Sequence, residues 1–149
     1  MGKFEPDWLK SAAPSHHPVD VGQRTEAIIL AELVRRGLRV LMPFGVNHRY
    51  DFALDIGDQF LRVQCKTGRM DNGTVLFNAQ SIRSNMKRVL CRSYAGEIDL
   101  FCVYCPENNQ VYAVPVGEAT STTARLRVSP PANGQKRGIR WASEYELPA

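Results

Sequence analysis

The chain has 149 residues, of which 44% are hydrophobic and 23% charged, a balance that suits a folded domain and excludes wholesale disorder. No stretch reaches the roughly 20 apolar residues of a membrane span, residues 1–19 lack the apolar segment of a secretory signal, and four cysteines make no dense disulfide framework. We therefore expect a single cytoplasmic domain over 1–149. It would comprise an irregular arm over 1–19, a core over 21–118 and a C-terminal extension over 119–149.

The positive charge is concentrated in one part of the chain. The net charge is +4, but residues 59–92 contain seven basic residues and one acid, so the rest of the chain is slightly acidic. A local basic stretch is typical of proteins that bind a phosphate-rich partner. It is equally compatible with a solvated face, and charge alone does not decide between the two.

The first predicted element is a helix over 21–36. Asp20 is a candidate N-cap, and Gln23, three residues later, completes a capping-box pattern. Apolar residues recur at helical spacing at Leu30, Leu33 and Val34. Gly37 then supplies a stop signal.

Short runs rich in β-forming residues follow the helix. The predicted strands cover 39–43, 50–56, 60–66, 73–77, 98–105 and 111–116. A tight turn at Gly57-Asp58 joins the second and third of them into a hairpin. Residues 79–94 are weakly patterned and predict a loop with at most a short helix, and the tail from Thr120 is interrupted by proline and glycine. A helix followed by a strand meander predicts an α/β (or α+β) fold with a mixed sheet.

Polar side chains on the two strands of this hairpin are predicted to share one face. Alternation puts Asp51 and Asp55 on one side of the first strand, and Gln64 and Lys66 on one side of the second, about 6.6 Å apart. Pairing across the turn would bring a carboxylate, an amide oxygen and an ammonium to one edge of the sheet. Spacing alone does not choose between the two aspartates.

A carboxylate also lies on the apolar stripe of the helix. Glu26 precedes Leu30 by four residues, and it is therefore on the packed side of the helix. Burial is unfavourable for a carboxylate unless a cation receives it, and Gly22, one turn earlier, leaves room for a ligand or another chain. A structural salt bridge with Lys66 or Arg62 is the alternative interpretation.

In their order and spacing, these residues resemble the PD-(D/E)XK nuclease superfamily from about residue 21 to residue 145. The matching motifs are Gly22 with Glu26, Tyr50-Asp51, Val63-Gln64-Cys65-Lys66-Thr67, Phe101–Tyr104 and Val111–Pro115. Glutamine stands in place of the usual second acid, as in small homing endonucleases of this fold encoded in group I introns; archaeal-type Holliday junction resolvases are more distant. The resemblance implies a restriction-endonuclease-like core with an N-terminal helix and a mixed sheet, and it favours Asp51 over Asp55.

The resemblance also implies a metal-dependent endonuclease that hydrolyses phosphodiester bonds of DNA. Asp51 would be the central metal ligand, with the Gln64 side chain and the Cys65 carbonyl completing a site for Mg²⁺ or Mn²⁺. Glu26 would hold a water on the metal or a second ion. Lys66 would orient the attacking water.

Double-stranded DNA is the partner that this reading implies. The candidate phosphate contacts are Arg62, Arg69, Arg83, Lys87 and Arg88. Cutting both strands needs two active sites, which favours a homo-oligomer, a dimer or tetramer. The apolar tail around Trp141 and Tyr145 would form its contact or pack on its own sheet. A Holliday junction resolvase and a non-catalytic DNA-binding module on the same fold are the alternatives, and no membrane partner is expected.

The cysteines raise a zinc site as another possibility. Cys102 and Cys105 form a C-x₂-C pair that Cys65 and Cys91 would complete. On a strand, however, positions 102 and 105 face opposite sides, and the pair lacks a glycine turn. We therefore expect buried cysteines and no zinc.

Overall fold

The computed structural model describes residues 2–148. Its α-helices are α1 (Asp7–Lys10) and α2 (Pro18–Arg35). Its strands are β1 (Arg39–Leu41), β2 (Phe52–Asp55), β3 (Phe60–Thr67), β4 (Arg69–Asp71), β5 (Thr74–Asn78), β6 (Gln80–Asn85), β7 (Arg88–Ser93), β8 (Leu100–Cys105), β9 (Gln110–Pro115) and β10 (Thr123–Arg127). Short 3₁₀ turns follow at Val116–Glu118 and Ala142–Glu144. Neither described α-helix has the length and hydrophobicity to cross a membrane.

A five-stranded mixed sheet forms the centre of the molecule. Its strand order is β1-β2-β3-β8-β9, and it is mixed because β3 and β8 run parallel while the other neighbours are antiparallel. Helix α2 packs on one face through a core that includes Ile29, Phe52 and Val63. A second sheet, of order β10-β5-β4, contributes to a core with Phe101 and Val114 of the central sheet. The predicted mixed α/β fold is confirmed.

Helix α2 begins earlier than the sequence predicts. Its N-cap is His17, whose ring Nδ1 accepts a hydrogen bond from the Val19 N–H at 3.3 Å, and a proline fills the first helical position, where no N–H is needed. The predicted Asp20 cap is therefore wrong, and the arm over 1–19 is not wholly irregular because it contains α1. The buried residues of the helix are Thr25, Ile29 and Leu33. Val34 of the predicted stripe is exposed.

The hairpin of β2 and β3 forms as predicted across Gly57-Asp58. Phe52 pairs with Val63, and the Ile56 N–H donates to the Gln59 carbonyl at 3.1 Å across the turn. Just before β2, the Asp51 N–H donates to the Val63 carbonyl at 2.8 Å. The antiparallel ladder therefore extends by one position, which places Asp51 beside Gln64 of β3.

The segment over 79–94 is a β-hairpin, so the predicted loop is wrong. Strands β6 and β7 pair with each other along their full length and with no other strand. Their side chains are mostly exposed, so the apolar-polar alternation that marks a packed strand is weak. The tail beyond residue 119 adds β10 to the second sheet and Ala142 to the core. Tyr145 packs against that same core. This agrees with the second of the two roles predicted for the tail, packing on its own sheet.

The paired cysteines of β8 face opposite sides of the central sheet. Cys102 belongs to the core under α2, and Cys105 belongs to the core under the second sheet. This follows from the odd separation of the two positions on an extended strand. The two thiols therefore do not converge on one site.

Gly68 is the point at which the chain leaves β3 for the second sheet. A Cβ atom there would lie 2.9 Å from Val75 Cγ1 and 3.0 Å from Val103 Cγ1, so a side chain would force one or both valines to move. The Gly68 N–H donates to the Tyr104 carbonyl at 2.8 Å. Packing between the sheets therefore favours glycine at this position.

We expect Gly68→Ala to lower the free energy of unfolding by about 1–3 kcal/mol, the usual range for an overpacked core. Gly22→Ala is the matched control, since a Cβ at this exposed helical position meets nothing within 4 Å. It should raise stability by about 0.5–1 kcal/mol through helix propensity. Urea unfolding measures both, and equal effects of the two substitutions would contradict the packing argument.

Candidate active site

Asp51 and Gln64 meet at the start of the β2–β3 hairpin. Asp51 Oδ2 accepts two hydrogen bonds, from Gln64 Nε2 at 2.8 Å and from the Cys65 N–H at 2.7 Å. The antiparallel register puts the two side chains opposite each other on one face. Two of the predicted site residues are therefore in direct contact.

The amide nitrogen of Gln64 occupies a place between two oxygen atoms. Besides donating to Asp51, it donates to the Cys65 carbonyl at 3.3 Å. A carboxylate oxygen and a carbonyl oxygen thus surround an electropositive group. Oxygen atoms of this kind are the ligands that a hard cation prefers. Rotating the amide by 180° exchanges its nitrogen for its oxygen, so the same three residues can offer oxygen ligands only. The donor chemistry therefore fits Mg²⁺ or Mn²⁺, although residues 2–148 contain no cluster of three or more His, Cys, Asp and Glu.

Glu26 reaches the same place from helix α2. It lines a pocket of about 250 Å³ together with Tyr50, Asp51 and the loop over 42–48. Burial raises the pKa of Glu26, and the nearby negative charge of Asp51 raises it further. Burial also raises the pKa of Asp51, against the opposing influence of the Cys65 N–H and the Lys66 ammonium. Burial disfavours the ionised form of both carboxylates, and the charge of Asp51 further disfavours that of Glu26; such a site would be stabilised by a cation.

Lys66 points to the same face as Gln64, two positions along β3. Its Nζ donates to the Tyr94 hydroxyl at 3.2 Å and lies 4.8 Å from the centre of the Tyr94 ring. Hydrogen bonding and cation–π attraction together hold the ammonium in place. The sequence interpretation missed Tyr94, because it lies at the end of the segment predicted as a loop.

Two predicted candidates are engaged elsewhere. Asp55 Oδ1 accepts from the Gly57 N–H at 2.9 Å, and its other oxygen lies 3.5 Å from Arg39, so it serves the turn and the sheet edge. Arg62 binds Asp99, with its Nε 3.2 Å from Asp99 Oδ2. The alternative salt bridge of Glu26 with Lys66 or Arg62 is not among the ion pairs of residues 2–148.

Comparison with known proteins identifies the family of this chain. The family model described as PD-(D/E)XK endonuclease matches residues 16–148. The chain belongs to the PD-(D/E)XK endonuclease family. The solved structure of the bacterial homing endonuclease I-Ssp6803I is similar in fold, with a TM-score of 0.68 at 21% sequence identity, over 84% of this chain and 85% of that chain. The search of curated proteins gave no match. The predicted superfamily is confirmed, and the chain is thereby assigned to a family of nucleases.

In this PD-(D/E)XK endonuclease, the exposed hairpin of β6 and β7 has two unlike faces. Its cross-strand pairs put Arg83, Arg88 and Arg92 on one face, and Ile82, Val89 and Cys91 on the other. Lys87 lies in the turn between the strands. Apart from Arg92, which pairs with Glu97, these basic side chains take part in no ion pair of residues 2–148. Arg69 lies on β4 instead, 3.9 Å from Asp71.

Arg49 links the base of this hairpin to the candidate site of the endonuclease. Its guanidinium donates to Ser81 Oγ and to the Ser93 carbonyl, both at 2.9 Å, and pairs with Glu97. It also stacks over the Tyr94 ring at 4.1 Å, so one ring receives both Arg49 and Lys66. The hairpin base and the candidate catalytic lysine are therefore held by a common contact, which sequence patterns do not indicate.

Proposed function

We propose that the protein is a divalent-metal-dependent endonuclease that hydrolyses phosphodiester bonds of double-stranded DNA. The observation that carries this proposal is the convergence of the Asp51 carboxylate and the Cys65 carbonyl on the Gln64 amide, with Lys66 on the same face and Glu26 lining the adjoining pocket. Membership of an endonuclease family supports it independently.

The residues of the site would have different roles, according to their chemistry. Asp51, Gln64 and the Cys65 carbonyl would hold Mg²⁺ or Mn²⁺, and Glu26 would help to bind the ion or the attacking water. The bound ion would stabilise the negative charge that develops on the phosphate oxygens. The Lys66 ammonium would orient the attacking water and favour its deprotonated form. Tyr94 would keep that ammonium in position between turnovers.

Cleavage of a supercoiled plasmid with and without EDTA tests the proposal. We expect nicking or cutting with Mg²⁺ or Mn²⁺ and none with excess EDTA, because the carboxylates alone cannot stabilise the charge that forms during hydrolysis. A four-way junction and a matched linear duplex are assayed alongside. Preference for the junction would assign a structure-specific nuclease, and binding without any cleavage would assign a non-catalytic module.

The charged face of the β6–β7 hairpin is the proposed DNA contact. Arg83, Lys87 and Arg88 project from an exposed ribbon, and the ≈ 12 Å major groove of B-DNA admits such a ribbon. Arg69 lies on another element and is retained as a flanking candidate. Arg62 is omitted because Asp99 already satisfies its guanidinium.

We expect Arg83→Ala and Lys87→Ala each to weaken duplex binding similarly across sequences. Each should reduce the slope of log affinity against log salt by about one, since each removes one phosphate contact. Fluorescence anisotropy in EDTA at several salt concentrations measures the slope. Lys10→Ala on α1 is the control for the same loss of charge, and an effect of Lys10→Ala equal to that of Lys87→Ala would indicate a general charge effect in place of a contact.

We further propose that the active enzyme is a homo-oligomer. Each chain offers one set of ligands, and cleavage of both strands of a duplex needs two. The uncharged face of the β6–β7 hairpin adds exposed apolar surface, with Val89 68% exposed. Sedimentation equilibrium, with and without duplex DNA, measures the state, and a monomer under both conditions would contradict it.

A further inference from the structure

A second concavity, lined by several arginines, lies on the three-stranded sheet. It encloses about 480 Å³ and shares no lining residue with the pocket at Glu26 and Asp51. Its charged lining residues are Arg125, Arg127, Arg140 and Glu118, and its hydroxyl-bearing ones are Thr74, Thr120, Ser121 and Thr123. Cationic and hydroxyl donors therefore predominate in its wall.

The fold itself brings the three arginines together. Arg125 and Arg127 are two positions apart on β10, so they project from the same face of the sheet. Arg140 is placed beside them because the Arg127 N–H donates to its carbonyl at 2.7 Å. The sheet and the segment that follows it thus bring three arginines to the wall of one cavity.

Arg127 is held by neutral contacts. Arg127 donates from Nε to the Ser129 carbonyl at 2.7 Å and from Nη1 to Thr74 Oγ1 at 2.6 Å. Arg125 lies directly across from Leu76 in the sheet register. Arg69 lies across from Leu76 on its other side, and Leu76 is only 6% exposed. The hydrogen bonds of Arg127 orient its guanidinium group without neutralising it.

The cavity has little negative charge to balance the arginines. Its one lining carboxylate, Glu118, accepts a hydrogen bond from the Tyr145 hydroxyl. Within residues 2–148, none of the three arginines takes part in an ion pair. Like charges held close together are unfavourable, and a bound anion would relieve that repulsion.

We propose that this cavity binds the phosphate group of a nucleotide. Arginine forks and hydroxyl donors match phosphate oxygens in geometry and charge. The volume lies in the range of about 300–1,000 Å³ that is typical of small-molecule sites, which leaves room for a sugar or base attached to the phosphate. The nucleotide is either free or part of a DNA strand, and this site is independent of the proposed cleavage chemistry.

Thermal unfolding in EDTA tests the site without any catalysis. We expect dAMP and inorganic pyrophosphate to raise the melting temperature of the wild type above that in sodium chloride of equal ionic strength. The double variant Arg125→Gln/Arg140→Gln should lose this response, and it should melt higher than the wild type without anion because the repulsion is reduced. Lys136→Gln/Arg137→Gln, which removes the same charge from residues outside the cavity, should keep the response. If the double variant does not fold, Arg140→Gln alone provides the comparison.

Duplex affinity in EDTA distinguishes the two sources of phosphate. If the site receives DNA, Arg125→Gln/Arg140→Gln should weaken duplex binding and reduce its salt slope by about two. If it receives a free nucleotide, duplex binding stays unchanged while the response to dAMP is lost. The proposal is overturned if neither the thermal response nor duplex binding depends on Arg125 and Arg140, or if the control variant loses both to the same extent.

Discussion

Asp51→Asn should reduce Mg²⁺-dependent cleavage by more than about 100-fold, since groups that only support a metal ligand already account for 10–100-fold. In EDTA the same variant should melt at a higher temperature than the wild type. Asparagine can still accept from the Gln64 amide and the Cys65 N–H through its side-chain oxygen, while the disfavoured buried charge is removed. For a domain of this size, about 1 kcal/mol corresponds to 2–4 °C.

The increase in the stability of Asp51→Asn over the wild type in EDTA should depend on pH in a defined direction. Because the pKa of Asp51 is raised in the folded state, its contribution to stability is present below the ordinary carboxyl pKa and is lost as the pH rises through the raised value. The advantage of Asp51→Asn in EDTA should therefore grow across that interval. Asp55→Asn is the control, because Asp55 serves the turn at Gly57 and should leave cleavage nearly unchanged. Loss of cleavage in Asp55→Asn with full activity in Asp51→Asn would reverse the ligand assignment.

Gln64→Leu should also reduce cleavage by about 100-fold or more, because it deletes a ligand that water does not replace with the same positioning. Gln64→Glu should retain much of the activity and require less Mg²⁺, since it adds a negative charge to the ligand set. Titrating cleavage against Mg²⁺ concentration measures both effects. The size of the Gln64→Leu effect separates a ligand from a side chain that only orients Asp51.

Gln110→Leu on the outer strand β9 is the control for the Gln64 series, since it makes the same substitution at an exposed position. It should leave the Mg²⁺ titration unchanged. Gln64→Leu and wild type with identical Mg²⁺ curves would rule out the ligand role. A common loss of stability without any change in the metal requirement would assign Gln64 to sheet structure alone.

Much of the central sheet could be predicted because its strands alternate between core and surface. Phe52, Leu54 and Val63 point inward, and the intervening polar residues define the opposite face and hence the Asp51–Gln64 pair. Spacing could not choose between Asp51 and Asp55, since both occupy the same face. Their hydrogen bonds in the folded structure distinguish them. Asp51 accepts from the Cys65 N–H, whereas Asp55 accepts from the Gly57 N–H in the turn.

The elements outside that sheet were harder to predict for different physical reasons. Strand β10 does alternate, with Ala124 and Leu126 buried, but it is short, rich in arginine and followed by prolines. The β6–β7 hairpin is held by its own ladder and by Arg49, with few of its side chains buried, so local hydrophobicity carries no signal for it. The contacts of Tyr94 with Arg49 and Lys66 depend on three separate elements and appear only when these are assembled.

The parallel pairing of β3 with β8 has a consequence for how the enzyme folds. The β2–β3 hairpin is local, and its tight turn lets Asp51 and Gln64 come together early. The other edge of β3 pairs only when β8 docks, and residues 68–99 lie between these two strands. Because closing such a long connection is slow, this pairing should form late. We therefore expect the strand that carries Gln64 and Lys66 to present an unpaired edge during synthesis until β8 leaves the ribosome. An exposed strand edge is a template for intermolecular pairing, so the interval before β8 docks is the stage of biogenesis at which the chain is most vulnerable to aggregation.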